Sequence, residues 1–163
     1  MMLQSEEKIM SGGETMNFNN QIDPKTDIFG FSRQVNPVHY LQLKVFDFAT
    51  NVAVGDGAYY IHIPAFWDRF YLTEAHAKVI TAGTTNTTDI QIANVTDAVD
   101  ILSTKLTIDS TETGSNTGAT PYVINLSNDE VAENDQLRID VDAVSTTAPK
   151  GLIITLGFRE FRV

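Results

Sequence analysis

Residues 136–158 read QLRIDVDAVSTTAPKGLIITLGF, and this stretch decides the fold. Leu137, Ile139 and Val141 alternate with Arg138, Asp140 and Asp142. A period of two puts the first set on one face of a strand and the second set on the other, solvent-facing side. Ser145–Gly151 follows as a small-residue connection containing Pro149, which interrupts the ladder. Leu152, Ile154, Leu156 and Phe158 then line one face of a second strand. Strands with one apolar face must bury it against a further layer, so the rest of the chain has to supply that layer.

The same period recurs upstream. Leu41, Leu43 and Val45 alternate with Gln42 and Lys44, so 40–48 reads as a strand. Asp56-Gly57 signals a turn, because glycine accepts positive φ without steric cost. Ala58–Pro64 alternates Tyr59, Ile61 and Ile63 with Tyr60 and His62. From Phe70 to Ile80 the apolar phase runs through Phe70 and Leu72, then resumes at Ala75, Ala77 and Val79, which predicts a bulge near Glu74. Thr88–Val95, Thr104–Asp109 and Tyr122–Leu126 are shorter runs. About eight short strands separated by turn residues predict an all-β fold, a β-sandwich or jelly roll of antiparallel strands. The only helical spacing is Val95, Val99 and Leu102 within Val95–Ser103, with a single turn expected at Asp129–Asn134. Thr81–Thr88 and Asp109–Thr120 are nearly free of apolar residues and read as hairpin ends able to display a binding tip.

Residues 1–40 have a different character and define an extended N-terminal arm ahead of a sandwich domain at 41–163. Ser11-Gly12-Gly13 is flexible, Asn17–Gln21 is amide-rich, and Pro24 and Pro37 break any regular element. Phe18, Ile22, Ile28, Phe29, Phe31 and Val35 as a set follow neither a helical nor a strand period. A solvated linker has little use for three phenylalanines, so the arm reads as a segment that orders on contact with a surface.

The chain of 163 residues suits one domain, and its net charge of −10 is unevenly spread. Residues 97–142 hold ten carboxylates against Lys105 and Arg138, whereas 143–163 hold Lys150, Arg159 and Arg162 against Glu160. Phosphate neutralisation needs clustered cations, so nucleic acid is not an expected partner, and an anionic membrane surface is disfavoured for the same reason. Met1–Met10 has Glu6, Glu7 and Lys8 in place of a positive start and apolar run, which reads against a secretory signal. With no cysteine, disulfides, thiolate nucleophiles and cysteine metal sites are excluded.

Catalytic patterns are missing. His39, His62 and His76 lack the spacing of a helical zinc motif, although His62 and His76 fall on strands that could be neighbours. No serine occupies a GxSxG elbow and no glycine-rich loop precedes a lysine, so the chain does not read as an enzyme and needs no cofactor. Asp135, Asp140 and Asp142 offer oxygen ligands suited to calcium, without the EF-hand pattern. More informative are the aromatics. Phe66-Trp67-Asp68-Arg69-Phe70-Tyr71 packs four into six residues, and Trp67 and Tyr71 are candidate contacts for a protein partner or a sugar. The basic, aromatic C-terminus adds Arg159, Phe161 and Arg162 as candidates for docking on an acidic neighbour. Phe18, Ile22, Phe29 and Phe31 of the arm complete the expected partner-binding set.

Residues 81–124, TAGTTNTTDIQIANVTDAVDILSTKLTIDSTETGSNTGATPYVI, and 128–158, NDEVAENDQLRIDVDAVSTTAPKGLIITLGF, resemble β-sandwich domains of tailed-bacteriophage virion proteins. The likeness covers about residues 70–158. It includes Asn134-Asp135 introducing an alternating strand, the Ser145–Gly151 loop and the closing strand Leu152–Phe158. The resemblance implies a structural protein of the virion. Together with the arm it points to a capsid decoration (cement) protein bound to the major capsid protein or other virion proteins. A homo-oligomer is then expected, with a trimer suiting capsid threefold positions. The alternative it implies is a receptor- or carbohydrate-binding module of a tail or head fibre, contacting host glycan.

Overall fold

The structure, a computed structural model, describes residues 36–161. Eleven strands follow one another along the chain. They are β1 (His39–Asn51), β2 (Gly55–His62), β3 (Phe70–Thr81), β4 (Thr88–Asn94), β5 (Val99–Asp100), β6 (Leu102–Thr104), β7 (Leu106–Ile108), β8 (Val123–Ile124), β9 (Glu130–Val131), β10 (Gln136–Ala143) and β11 (Lys150–Arg159). Single 3-10 turns occur at Ala65–Trp67 and Ser115–Thr117. All the described pairings are antiparallel. One sheet has the order β1-β11-β3-β9, and the second β2-β10-β4-β5 with β7 also on β4. The two form an all-β, sandwich-like fold around one apolar cluster.

The period of two builds that cluster. β11 contributes Leu152, Ile154, Leu156 and Phe158, and β10 contributes Leu137, Ile139 and Val141, all fully buried. Leu43 faces Ile154 in register and Leu41 faces Leu156, so β1 sends the same face inward. On β3 the inward set is Phe70 and Leu72, then Ala75, Ala77 and Val79. The register slips where Gly157 pairs Glu74 but Phe158 pairs Leu72, so Thr73 is the extra residue. That bulge lies beside Glu74, where the change of apolar phase places it.

One local expectation fails and a second is met only in part. Val95–Ser103 is no helix: the chain turns at 95–98 and β5 returns along β4, with Ala93 opposite Asp100 and Asn94 opposite Val99. Asn94 is the cause. Its Oδ1 accepts the Thr96 and Asp97 N–H groups (3.1 and 3.4 Å), a side-chain turn that competes with helix, and Ala98 has φ of 56°. Of Asp129–Asn134, Glu130–Val131 joins the sheet as β9 and only Glu133-Asn134 turns, closed by the Asp135 N–H on the Ala132 carbonyl at 3.1 Å. Val131 pairs Phe70, the Asp129 carbonyl accepts the Leu72 N–H, and the Val131 carbonyl accepts the Arg69 N–H.

Asn94 also anchors the opposite loop. Its Nδ2 donates to buried Asp135 Oδ2 at 2.8 Å and to Asp97 Oδ2 at 2.9 Å, while Asp135 Oδ2 accepts the Ala132 N–H at 2.8 Å. Replacing Asn94 with Ala removes a donor from a buried carboxylate. The expected loss is roughly 1–3 kcal/mol of stability, read from urea unfolding midpoints against the parent protein. Ile139→Ala, at a fully buried position, is expected to cost about 2–5 kcal/mol in the same assay.

Candidate functional site

The residues before β1 enter the described structure at Asn36, beside the end of β11. The Asn36 side chain donates to the Phe161 carbonyl at 2.6 Å, and Arg159 Nη1 donates to the Asn36 carbonyl at 2.7 Å. Arg159 Nη2 also lies 3.9 Å from Glu74 Oε1, whose other oxygen accepts the Tyr40 hydroxyl at 2.7 Å. That bond to a carboxylate holds the Tyr40 phenol above its ordinary pKa. Glycine at 157 makes the arrangement possible. A Cβ there would come within 2.8 Å of Val38 and 3.1 Å of the Tyr40 ring, so the bare backbone lets both side chains lie across β11.

Of the expected contact residues, Phe18, Ile22, Phe29, Phe31 and Arg162 lie outside the described residues. Arg159 and Phe161 come together at the corner just described, with Tyr71 opposite Arg159 in register. Trp67 is half-buried. Its ring lies 4.8 Å from that of Phe158, tilted by 32°, so it closes the end of the core with one face. Phe66 is the exposed member of the aromatic run, 67 % accessible, and meets His39 edge-on at 5.6 Å and Phe70 at 5.7 Å. His62 and His76 are not neighbours: β2 and β3 belong to different sheets.

The acidic residues are drawn into separate contacts. Asp140 is only 3 % exposed, against the expectation of a solvent face for β10. Arg138 grips it through Nε and Nη2 at 3.0 and 2.8 Å to Oδ2, and the Gly57 N–H donates to Oδ1 at 2.7 Å. This forked pairing raises the Arg138 pKa. Asp142 takes Lys105 at 2.7 Å, raising the Lys105 pKa, and Asp135 is held by Asn94 and Ala132. The three carboxylates considered for calcium therefore serve three different partners. Among the described residues no group of three or more such side chains is arranged to hold a metal ion.

The two threonine-rich loops are not free tips. Thr84 bridges Thr147, the Thr85 N–H donates to Ser110 Oγ at 2.8 Å, and the Thr111 N–H donates to the Gly83 carbonyl at 2.9 Å. Asp109–Thr120 folds along the edge of β3. The Ala77 N–H donates to buried Ser115 Oγ and the Val79 N–H to the Thr113 carbonyl, both at 2.9 Å, while Gly114 bridges Lys78. Tyr122 Oη accepts the Ala75 N–H at 3.1 Å. The loop thus satisfies donors that an edge strand would otherwise present to solvent or to other chains.

Folded this way, the loop also forms a wall. Beneath it lies the outer face of the first sheet, where Gln42, Thr155 and His76 form one row and Lys44, Ile153 and Lys78 the next. The resulting groove has a volume of about 550 Å³ and is completed by Glu112, Asn116 and Thr117. Sequence reasoning missed it. Its signal is the set of alternate positions opposite the core, where β11 carries Gly151, Ile153, Thr155 and Gly157.

No family model, no curated protein and no solved structure matches the chain.

The neighbours Phe66 and Trp67 should separate cleanly on truncation. Trp67→Ala is expected to cost about 3 kcal/mol, by analogy with other large aromatic deletions. Phe66→Ala should change stability by no more than about 0.5 kcal/mol. Guanidinium unfolding of the two variants checks both values.

Proposed function

We propose that this chain is a non-catalytic assembly protein of a bacteriophage virion, a capsid decoration (cement) protein whose N-terminal arm grips the major capsid protein. The observation that carries this reading is the way the arm joins the domain. Residues 1–35 lead into β1, a strand of thirteen residues laid antiparallel against β11. Tension on the arm would load those ladder bonds in shear, because they run perpendicular to the strands and must yield together. The clamp of Asn36 by Arg159 and Phe161 reinforces the same end of the β1–β11 pair, where the arm enters. A small domain held by one extended segment benefits from such a junction.

Further support comes from the fate of the carboxylates. Asp135, Asp140 and Asp142 are occupied by folding contacts, which suits a scaffold better than an acid–base pair. The acidic balance of the domain would complement a basic site on a neighbouring subunit. On this reading the protein works on the capsid surface as a homo-oligomer, and a trimer fits a threefold position.

Deletion of residues 1–35 tests the reading. The truncated domain should keep its β-rich circular dichroism and cooperative unfolding while losing co-sedimentation with particles. Normal decoration by the truncated domain would sink the anchor role.

A further inference from the structure

We infer that the groove between the outer face of the first sheet and the 112–117 wall is a binding site for a carboxylate-bearing sugar, such as a uronic or sialic acid residue. The inference is independent of capsid attachment, since it rests on the domain alone. Charge is the first observation. The chain carries a net charge of −10, and most cations of the described residues sit beside a carboxylate: Lys44 with Asp47, Arg69 with Glu130, Lys105 with Asp142, Arg138 with Asp140 and Arg159 with Glu74. Lys78, in the groove, has no carboxylate within ion-pair distance among the described residues. An exposed ammonium left over on so acidic a surface is free to take an anionic group from outside.

The second observation is the mixture of donors and acceptors around it. Gln42 and Asn116 supply amides, and Thr117 and Thr155 supply hydroxyls. Glu112 Oε2 accepts the Thr117 hydroxyl at 2.8 Å, which orients that carboxylate and leaves Oε1 to accept a ligand hydroxyl. Sugar hydroxyls donate and accept at once, so they match this set. Ile153 on the floor offers a small apolar patch for a ring face. The volume of about 550 Å³ lies within the range of small-ligand sites and accommodates one or two sugar rings.

The wall is also pre-organised. Thr113, Gly114 and Ser115 are bonded to the β3 backbone, and the Gly118 N–H donates to the Ser115 carbonyl at 3.4 Å. Holding polar groups in place before binding reduces the ordering cost of association. The same bonds disfavour an extended peptide. Strand addition needs an unpaired edge, and on β3 this edge is already taken by the wall. Glu112 would repel a polyacidic chain or a phosphate backbone, whereas a single carboxylate can sit on Lys78 with Glu112 facing hydroxyls.

Titration of the full chain by isothermal calorimetry and ¹⁵N-resolved NMR tests the site, with digalacturonic acid, N-acetylneuraminic acid, a neutral galactose disaccharide and hexaglutamate as probes. Saturable binding of at least one acidic sugar is expected, tighter than the neutral disaccharide, with shifts confined to residues 42, 76–78, 112–117 and 153–155. Lys78→Gln should weaken it about tenfold or more, the scale of one lost charged hydrogen bond. Asn116→Ala should weaken it too; both side chains are exposed, so the fold is retained. The inference is overturned by an absence of saturable binding of both acidic sugars, by affinity unchanged in K78Q, by shifts mapping elsewhere, or by hexaglutamate binding as tightly.

Discussion

β11 has to satisfy two neighbours and two faces at once. It is paired along one edge with β1 and along the other with β3, so its ladder bonds hold the first sheet together. One face carries Leu152, Ile154, Leu156 and Phe158 into the core without exposure. On the other, Val38 and Tyr40 lie across Gly157 and the groove opens over Ile153 and Thr155. A side chain at 157 would displace Val38, Tyr40 and Glu74, which tie β1, β3 and the entering chain together. Phase on this strand is therefore constrained twice, once by apolar burial and once by the glycine required at 157.

Alternation made most of this architecture legible. Each strand read from a period of two has its counterpart, and even the bulge at Thr73 left a trace in the shift from Leu72 to Ala75. What stayed hidden depends on contacts distant in sequence. Val95, Val99 and Leu102 imitate a helical face, and only the side-chain turn of Asn94 reveals the hairpin. Asp140 looks like a solvent-facing residue because nothing in its own strand announces the Gly57 N–H that covers it from β2. Ser115 reads as one more loop serine, yet its hydroxyl acts as a backbone partner for Ala77.

The candidate surfaces divide along the same line. Trp67 drew notice by residue type, and its packing on Phe158 gives most of that signal a structural explanation. Gln42, Lys78 and Asn116 are ordinary residues individually, and they become a constellation only when three strands and a folded loop bring them together. The arm's contact residues lie beyond the described part of the chain, so their role rests on composition and on the junction at Asn36. Electrostatics follows a similar rule. Forked or direct pairing raises the pKa values of Arg138 and Lys105 and commits Asp140 and Asp142 to contacts within the fold.

The covering of β3 bears on crowding. Sheets grow by edge-to-edge addition when an edge offers a row of unmatched amides, and dense packing of identical copies favours such growth. Here Thr113, Ser115 and Tyr122 cap three of those amides on one flank, at Val79, Ala77 and Ala75. On the opposite side β1 departs from regular register after Lys44, with a charged residue beside the irregularity. Both are barriers to fibrillisation. On these flanks the first sheet offers fewer unmatched amides to a second copy than an open, regular edge would.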